Sequence, residues 1–200
     1  MEEKNYNIPE AYDKIFRYVK GRDDFFDLSC NQRHEVMLKY FKGGKLLDVG
    51  CLNSPLCLIA QKKYPIAEIT VLDFAPAVID YFKKNYPYEA VLSDCKNTPF
   101  ENNTFDYITA GEIIEHMEKP EELIKEMVRI LKPNGTFVLS TPLEEQDNEC
   151  GGGYHLWSFF KGDIEKLLNP YGKIEIEILT REKRSSYIIG FLFKNGNQKI

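Results

Sequence analysis

Three aspartates and one acidic–imidazole run carry the chemistry in this 200-residue chain. Asp48, Asp73 and Asp94 each fall just past a short apolar run. An ionised carboxylate only accepts hydrogen bonds, and its two oxygens can take both hydroxyls of a diol. Further along, Glu112, Glu115 and His116 stand at i, i+3 and i+4. In a helical turn that spacing puts Glu112 on one face with both of the others. A second imidazole, His155, follows Gly151-Gly152-Gly153-Tyr154 and precedes the aromatic stretch from Trp157 to Phe160. Two carboxylates and two imidazoles suit a divalent ion of Mg, Mn or Zn type, bound by Glu112, Glu115, His116 and His155. The same residues also work without a metal. His116 then stabilises the turn, while His155 acts as a general base or touches a substrate.

The elements that position these groups can be read from the pattern around them. Residues 45–54 read as strand, acidic turn and helix: Leu46, Leu47 and Val49 suit a strand buried on both faces. Gly50 then allows a sharp turn, and Ser54-Pro55 is a helix N-cap followed by a first helical residue. A helix to about Tyr64 follows, then a strand over 68–72, a helix over 76–86 and a strand over 88–92. Next come strands over 105–110 and 136–140, with an amphipathic helix over 120–132 between them that Pro133-Asn134-Gly135 closes. Such alternation demands a mainly parallel sheet with right-handed crossovers. After a helix over 158–168, the strands 174–179 and 187–193 are joined by a link too short for a crossover helix, so they pair antiparallel. The expected fold is therefore α/β: a Rossmann-like, doubly wound, mainly parallel seven-stranded sheet ending in an antiparallel hairpin. Helices over 9–20 and 31–42 precede it. The expected division is 1–44, helices covering the cleft, and 45–200, the core that binds the cofactor.

Composition narrows the partners. A net charge of −5 gives no basic footprint for nucleic acid. No run approaches the roughly 20 apolar residues of a membrane helix. Five cysteines (30, 51, 57, 95 and 150) without a CxxC pair suit reduced thiols. The opening Met1-Glu2-Glu3-Lys4-Asn5 lacks the build of a signal peptide, so a cytoplasmic location is expected. Cys51, Cys57 and Cys95 read as small packing residues. The run Glu144-Glu145-Gln146-Asp147 reads as a solvated loop or a lid hinged at the glycines.

In an open α/β sheet the strand ends face one crevice, so the three aspartates converge there. Asp73, at 25 residues beyond Asp48, lies near the distance at which nucleotide folds place an acid on ribose hydroxyls. Phe74 can pack on a base, and Asp94 can accept from an exocyclic amine. Leu52 and Ser54 stand where a dinucleotide loop needs glycine. The acidic turn at Asp48 suits an ammonium better than a phosphate. A nucleoside with a cationic amino-acid arm fits these charges.

The residues Leu46-Leu47-Asp48-Val49-Gly50-Cys51, Val71-Leu72-Asp73-Phe74-Ala75-Pro76, Ser93-Asp94, Phe105-Asp106-Tyr107-Ile108, Glu112-Ile113-Ile114-Glu115-His116 and Ile130-Leu131-Lys132-Pro133-Asn134-Gly135 appear in that order. Together they resemble the class I S-adenosylmethionine-dependent methyltransferases from about residue 33 to the C-terminal hairpin. The resemblance implies S-adenosylmethionine as cofactor, released as S-adenosylhomocysteine. It further implies a methionine arm over Asp48, Gly50 and Cys51, with Gly111 beside it, and a ribose on Asp73. The adenine would lie at Asp94 and Cys95, and the cofactor carboxylate near Arg33. The family loop is commonly richer in glycine than this chain, which keeps only Gly50. The Glu-x-x-Glu-His run with a later histidine resembles the metal site of small-RNA 2′-O-methyltransferases. It is also similar to a segment of ubiquinone-pathway O-methyltransferases. The leading expectation is methyl transfer to an oxygen or nitrogen of a small molecule, such as a sugar or biosynthetic intermediate. The alternatives are a metal-dependent RNA ribose methyltransferase, which a chelator would silence, and a degenerate binding or partner protein, which would bind no cofactor.

Overall fold

The computed structural model describes residues 7–20, 31–143, 155–180 and 186–196. The elements in chain order are α1 (Pro9–Val19), α2 (Asn31–Met37), β1 (Lys45–Val49), α3 (Leu56–Lys63), β2 (Glu68–Asp73), α4 (Pro76–Asn85), β3 (Glu89–Leu92) and β4 (Phe105–Gly111). They continue with α5 (Pro120–Ile130), β5 (Leu131–Pro142), α6 (Lys161–Leu168), β6 (Gly172–Leu179) and β7 (Tyr187–Lys194). One seven-stranded sheet has the order β3-β2-β1-β4-β5-β7-β6. β1 to β5 pair parallel, and β7 inserts antiparallel between β5 and β6. The parallel half and the antiparallel finish both match the sequence expectation. The sheet order reverses between β1 and β4, which puts the switch point of the sheet at the ends of those two strands.

Alternation along each central strand builds two cores. From β1, Leu46 faces one layer while Leu47 and Val49 face the other; from β2, Val71 and Leu72 split in the same way. The first layer takes Phe16 of α1, Met37 of α2 and Val78, Ile79 and Phe82 of α4. The second takes Leu123, Ile124, Met127 and Val128 of α5 with Ile164 and Leu168 of α6. Central strands buried on both faces hold the sheet rigid; cutting back one such leucine to alanine costs about 2–5 kcal/mol. Prolines open α1, α4 and α5 at the first helical turn, where their missing N–H costs nothing.

Two boundaries differ most from the pattern. α2 stops at Met37 rather than running to residue 42, and Lys39 and Tyr40 turn outward to Glu175 and Glu177 of β6. That bonding at the outer strand competes with another helical turn. The fifth strand begins at Leu131, five residues before its regular parallel register with β4 starts at Thr136, with an irregularity between. Asn134 accommodates it with a φ of 63°, a conformation asparagine tolerates better than most residues. Among the described residues, no helix is long and apolar enough to cross a membrane.

Candidate active site

Asp48 closes β1 from below. It is 3% exposed; the Thr109 hydroxyl donates to Oδ1 at 2.8 Å and the Cys57 thiol to Oδ2 at 3.7 Å. Burial pushes its carboxyl up to about 7, against the pull of those two donors. Asp48 therefore ties the end of β1 to β4 and α3. Gly50 makes the turn itself, with a φ of 65°; a Cβ there would lie 2.6 Å from Ile113 Cδ1. The register Val49↔Ala110 brings this turn beside the end of β4.

Asp73, at the end of β2, is the carboxylate that organises the loop. The Leu52 N–H donates to Oδ2 at 3.1 Å and the Ala75 N–H to Oδ1 at 2.9 Å. An ionised carboxylate has about four lone-pair sites, so acceptor capacity remains for a ligand. Burial raises its carboxyl to about 6, less than it otherwise would because three backbone N–H groups favour the anion. Leu52 adopts a φ of 27°, so the loop is pulled over toward Asp73 despite the side chain. The Phe74 ring is next in line and meets Tyr12 of α1, centroids 5.1 Å apart. Asp94 lies one strand further out, half-exposed, accepting from the Lys96 N–H at 2.9 Å and facing Lys96 Nζ at 3.4 Å. Cys95 beside it is pushed up to about 12 by burial, and burial also holds the Cys51 and Cys57 thiols protonated. None of the three is a nucleophile.

The segment after β4 is built differently. Glu112 has a φ of 56°, a left-handed conformation rare for glutamate, and a short 3₁₀ turn over Ile114–His116 begins only after it. Glu112 therefore shares no helical face with Glu115 and His116. Its carboxylate pairs with Arg33 NH1 at 2.8 Å and accepts from the Ser140 hydroxyl at 3.3 Å. Arg33 also lies over the Tyr187 ring, 4.8 Å from its centroid, so its guanidinium meets both a carboxylate and an aromatic face. Gly111, the last residue of β4, packs near Met37 and the Ser140 hydroxyl.

Glu115, His116 and His155 do come together, their candidate ligand atoms all within 4.8 Å of one another. Glu115 is 1% exposed. Its Oε2 accepts from the Thr141 hydroxyl at 3.0 Å, while Oε1 has no hydrogen-bond partner and lies 3.9 Å from His116 Nε2. Burial, and then the nearby Glu112 charge, hold this carboxyl well above the usual glutamate range. The His116 and His155 rings meet edge to face, centroids 4.7 Å apart. His155 is delivered by a chain reversal that Glu115 itself anchors: its carbonyl accepts from the Leu156 and Trp157 N–H groups at 2.7 and 3.2 Å. The Trp157 indole N–H donates to the Met117 carbonyl at 2.6 Å, which fixes the same segment a second time. The Glu144–Asp147 run and the Gly151–Gly153 hinge expected nearby fall outside the described residues.

Sequence reasoning singled out the carboxylates and imidazoles and missed the hydroxyls that hold them. Thr109, Ser140 and Thr141 are completely buried, the first beside Ile108 and Ala110 in β4 and the other two directly after Phe137-Val138-Leu139 in β5. That contrast was the available signal, since a hydroxyl in a buried strand needs a partner.

A family model described as a methyltransferase domain matches residues 47–139. A demethylmenaquinone methyltransferase from Lysinibacillus sphaericus is 27% identical over 175 residues, 84% of this chain and 70% of that protein. A ubiquinone/menaquinone biosynthesis C-methyltransferase from Desulfotalea psychrophila is 23% identical over 137 residues, 63% of this chain, and the match spans 56% of that protein. Among solved structures, the [4+2]-cyclase SpnF superposes with a TM-score of 0.75 at 15% identity, covering 97% of this chain and 98% of that one. The 1,6-didemethyltoxoflavin-N1-methyltransferase of Burkholderia thailandensis, with 1,6-didemethyltoxoflavin and S-adenosylhomocysteine bound, gives 0.71 at 16% identity, covering 96% and 93%. These superpositions establish the fold.

Proposed function

Since the chain belongs to the class I S-adenosylmethionine-dependent methyltransferases, we propose that it moves a methyl group from S-adenosylmethionine to an oxygen or nitrogen of a small-molecule acceptor. One observation carries this reading. The loop that Asp73 holds at Leu52 lies one strand from the Glu115–His116–His155 group, across the β1–β4 switch point. A donor laid along the first region presents its methyl toward the second.

S-adenosylmethionine supplies a sulfonium whose methyl carbon is attacked in line, leaving S-adenosylhomocysteine. The chain's own part is positioning and proton handling. Asp73 offers its free lone pairs to the ribose hydroxyls, Phe74 packs beside the nucleoside, and Asp94 with Cys95 borders the base. Gly50 and Cys51 let the amino-acid arm approach the backbone above Asp48, with Gly111 opposite. Arg33 and Glu112 offer a cation and an anion to the arm's carboxylate and ammonium. His155, steadied by His116, takes the acceptor proton as the new bond to carbon forms.

The test is calorimetric titration with S-adenosylhomocysteine on the wild type and on Asp73→Ala, followed by transfer of isotopically labelled methyl to hydroxyl, amine and carbon acceptors. Carbon acceptors belong in that screen because one relative is a C-methyltransferase. Binding lost in the variant and label on an oxygen or nitrogen support the reading. Absence of cofactor binding by folded wild type removes it.

A second reading is favoured by the unpartnered Glu115 Oε1. One carboxylate and two imidazoles within 4.8 Å suit a borderline divalent ion, zinc or manganese more than magnesium. Glu115, His116 and His155 would hold it, and it would supply Lewis acidity toward an acceptor oxygen. Titration with Zn²⁺ and Mn²⁺, compared with Glu115→Gln, tests this directly.

A further inference from the structure

Helix α1 rides on the cofactor half of the molecule. The Asp13 carboxylate accepts from the Ala77 N–H at the first turn of α4 at 2.8 Å, and Phe16 is buried with its ring edge-on to Tyr81 at 5.5 Å. Tyr12, one turn before Phe16, packs on Phe74 at 5.1 Å. These three contacts bind α1 to α4 and to the turn between β2 and α4. Tyr12 also reaches the other half: its ring stands at 86° to that of His116, centroids 6.2 Å apart. Phe74, Tyr12, His116 and His155 thus form one continuous row of rings from the turn after β2 to the segment after β4.

From this row we infer that Tyr12 is a positioning residue that transmits occupancy of the nucleoside half to the orientation of His116, and through it of His155. The inference rests on the cofactor reading above. An imidazole turns about its terminal torsion within a broad energy well, so its ring nitrogens need neighbours to aim them. An edge-to-face aromatic contact is one such neighbour, because ring edge and ring face carry opposite partial charge. Phe74 follows directly on the residue that would hold the ribose. A nucleoside settling there moves Phe74, Phe74 moves Tyr12, and His116 turns with Tyr12. The base would then be aimed only when the donor is in place.

The chain has only three histidines, which makes ring NMR a direct readout. Adenosine is the probe, since it carries the nucleoside and lacks the amino-acid arm that would itself approach His116. In wild type, adenosine is expected to shift the His116 and His155 ring signals while His34, on α2, moves less. In Tyr12→Leu, adenosine still binds by calorimetry, yet the two shifts fall to a small fraction of the wild-type change. Dissociation of S-adenosylhomocysteine from Tyr12→Leu also speeds up about tenfold. Tyr12→Phe keeps the ring and should behave as wild type in both assays. Adenosine binding without movement of His116 overturns the inference. So does Tyr12→Leu responding as wild type, or Tyr12→Phe failing as badly as leucine. If wild type binds neither adenosine nor S-adenosylhomocysteine, the cofactor reading falls and takes this one with it.

Discussion

The two halves of the cleft are finished to different degrees. On the side of β1 and β2, each buried carboxylate is bonded at both oxygens: Asp48 by a hydroxyl at 2.8 Å and a thiol at 3.7 Å, Asp73 by the Leu52 and Ala75 N–H groups. On the side of β4 the backbone is strained at Glu112, the helical turn is a single 3₁₀ turn, and a buried carboxylate oxygen has no partner. The first half is braced from within the chain. The second leaves hydrogen-bonding capacity unused at Glu115 Oε1. A fold that serves many acceptors can keep the first arrangement fixed and vary the second.

The largest effect should come from breaking the finished half. Asp73→Ala removes a ligand acceptor and also the anchors of Leu52 and Ala75, so affinity for S-adenosylhomocysteine should fall about a hundredfold, measured by calorimetry. A loss below tenfold would mean that the loop does not depend on this carboxylate.

Gly50→Ala tests the seam between the halves. Its Cβ would intrude on Ile113, and a φ of 65° strains alanine in any case. A destabilisation of about 1–3 kcal/mol is expected in urea melts, with weaker cofactor binding. An unchanged melt would show that Ile113 gives way freely and that the segment after β4 is looser than its contacts suggest.

The unfinished half has its own signature in pH. The folded Glu115 carboxyl titrates above its unfolded value, so the folded state holds the extra proton and stability falls as pH rises from about 4.5 upward. Glu115→Gln should flatten that slope and match or exceed wild type at pH 8 by about 1 kcal/mol. If Zn²⁺ restores wild-type stability at pH 8 and leaves the glutamine variant unmoved, an ion completes the site.

The smallest expected effect links the cofactor to protons. Asp48 and Asp73 titrate near 7 and 6 in the free protein. A cationic arm favours their ionised forms, so binding should release protons and tighten by a few-fold between pH 5.5 and 8. Calorimetry in buffers of different ionisation enthalpy reads the proton count. Flat affinity across that range would place the cation away from both acids.

Most of the fold was legible because the signals are local and strong: apolar runs, prolines at helix starts and a hairpin link too short for a crossover. The strand-end aspartates were legible for the same reason, since topology places them at the ends of three neighbouring strands, β1, β2 and β3. Glu112 was not. Its i, i+3, i+4 spacing promised a shared helical face, but a left-handed glutamate breaks the helix before it starts. The approach of His155 to Glu115 was only a sequence-distant pairing of like chemistry until the Leu156 and Trp157 N–H bonds to the Glu115 carbonyl showed how the chain returns. Tyr12 is one aromatic among several in the helix expected over 9–20, and nothing in its spacing points to His116. Contacts between distant segments need the tertiary structure, and the row of rings consists of them.

The outer strand β6 leaves one row of backbone donors and acceptors without a neighbouring strand in the sheet. Along one face it carries Glu175 and Glu177, both braced by Lys39. If a second copy added its β6 antiparallel about Ile176, glutamate would stand opposite glutamate. The lysine that neutralises them is already engaged within its own chain. Growth of the sheet from molecule to molecule is opposed at that edge.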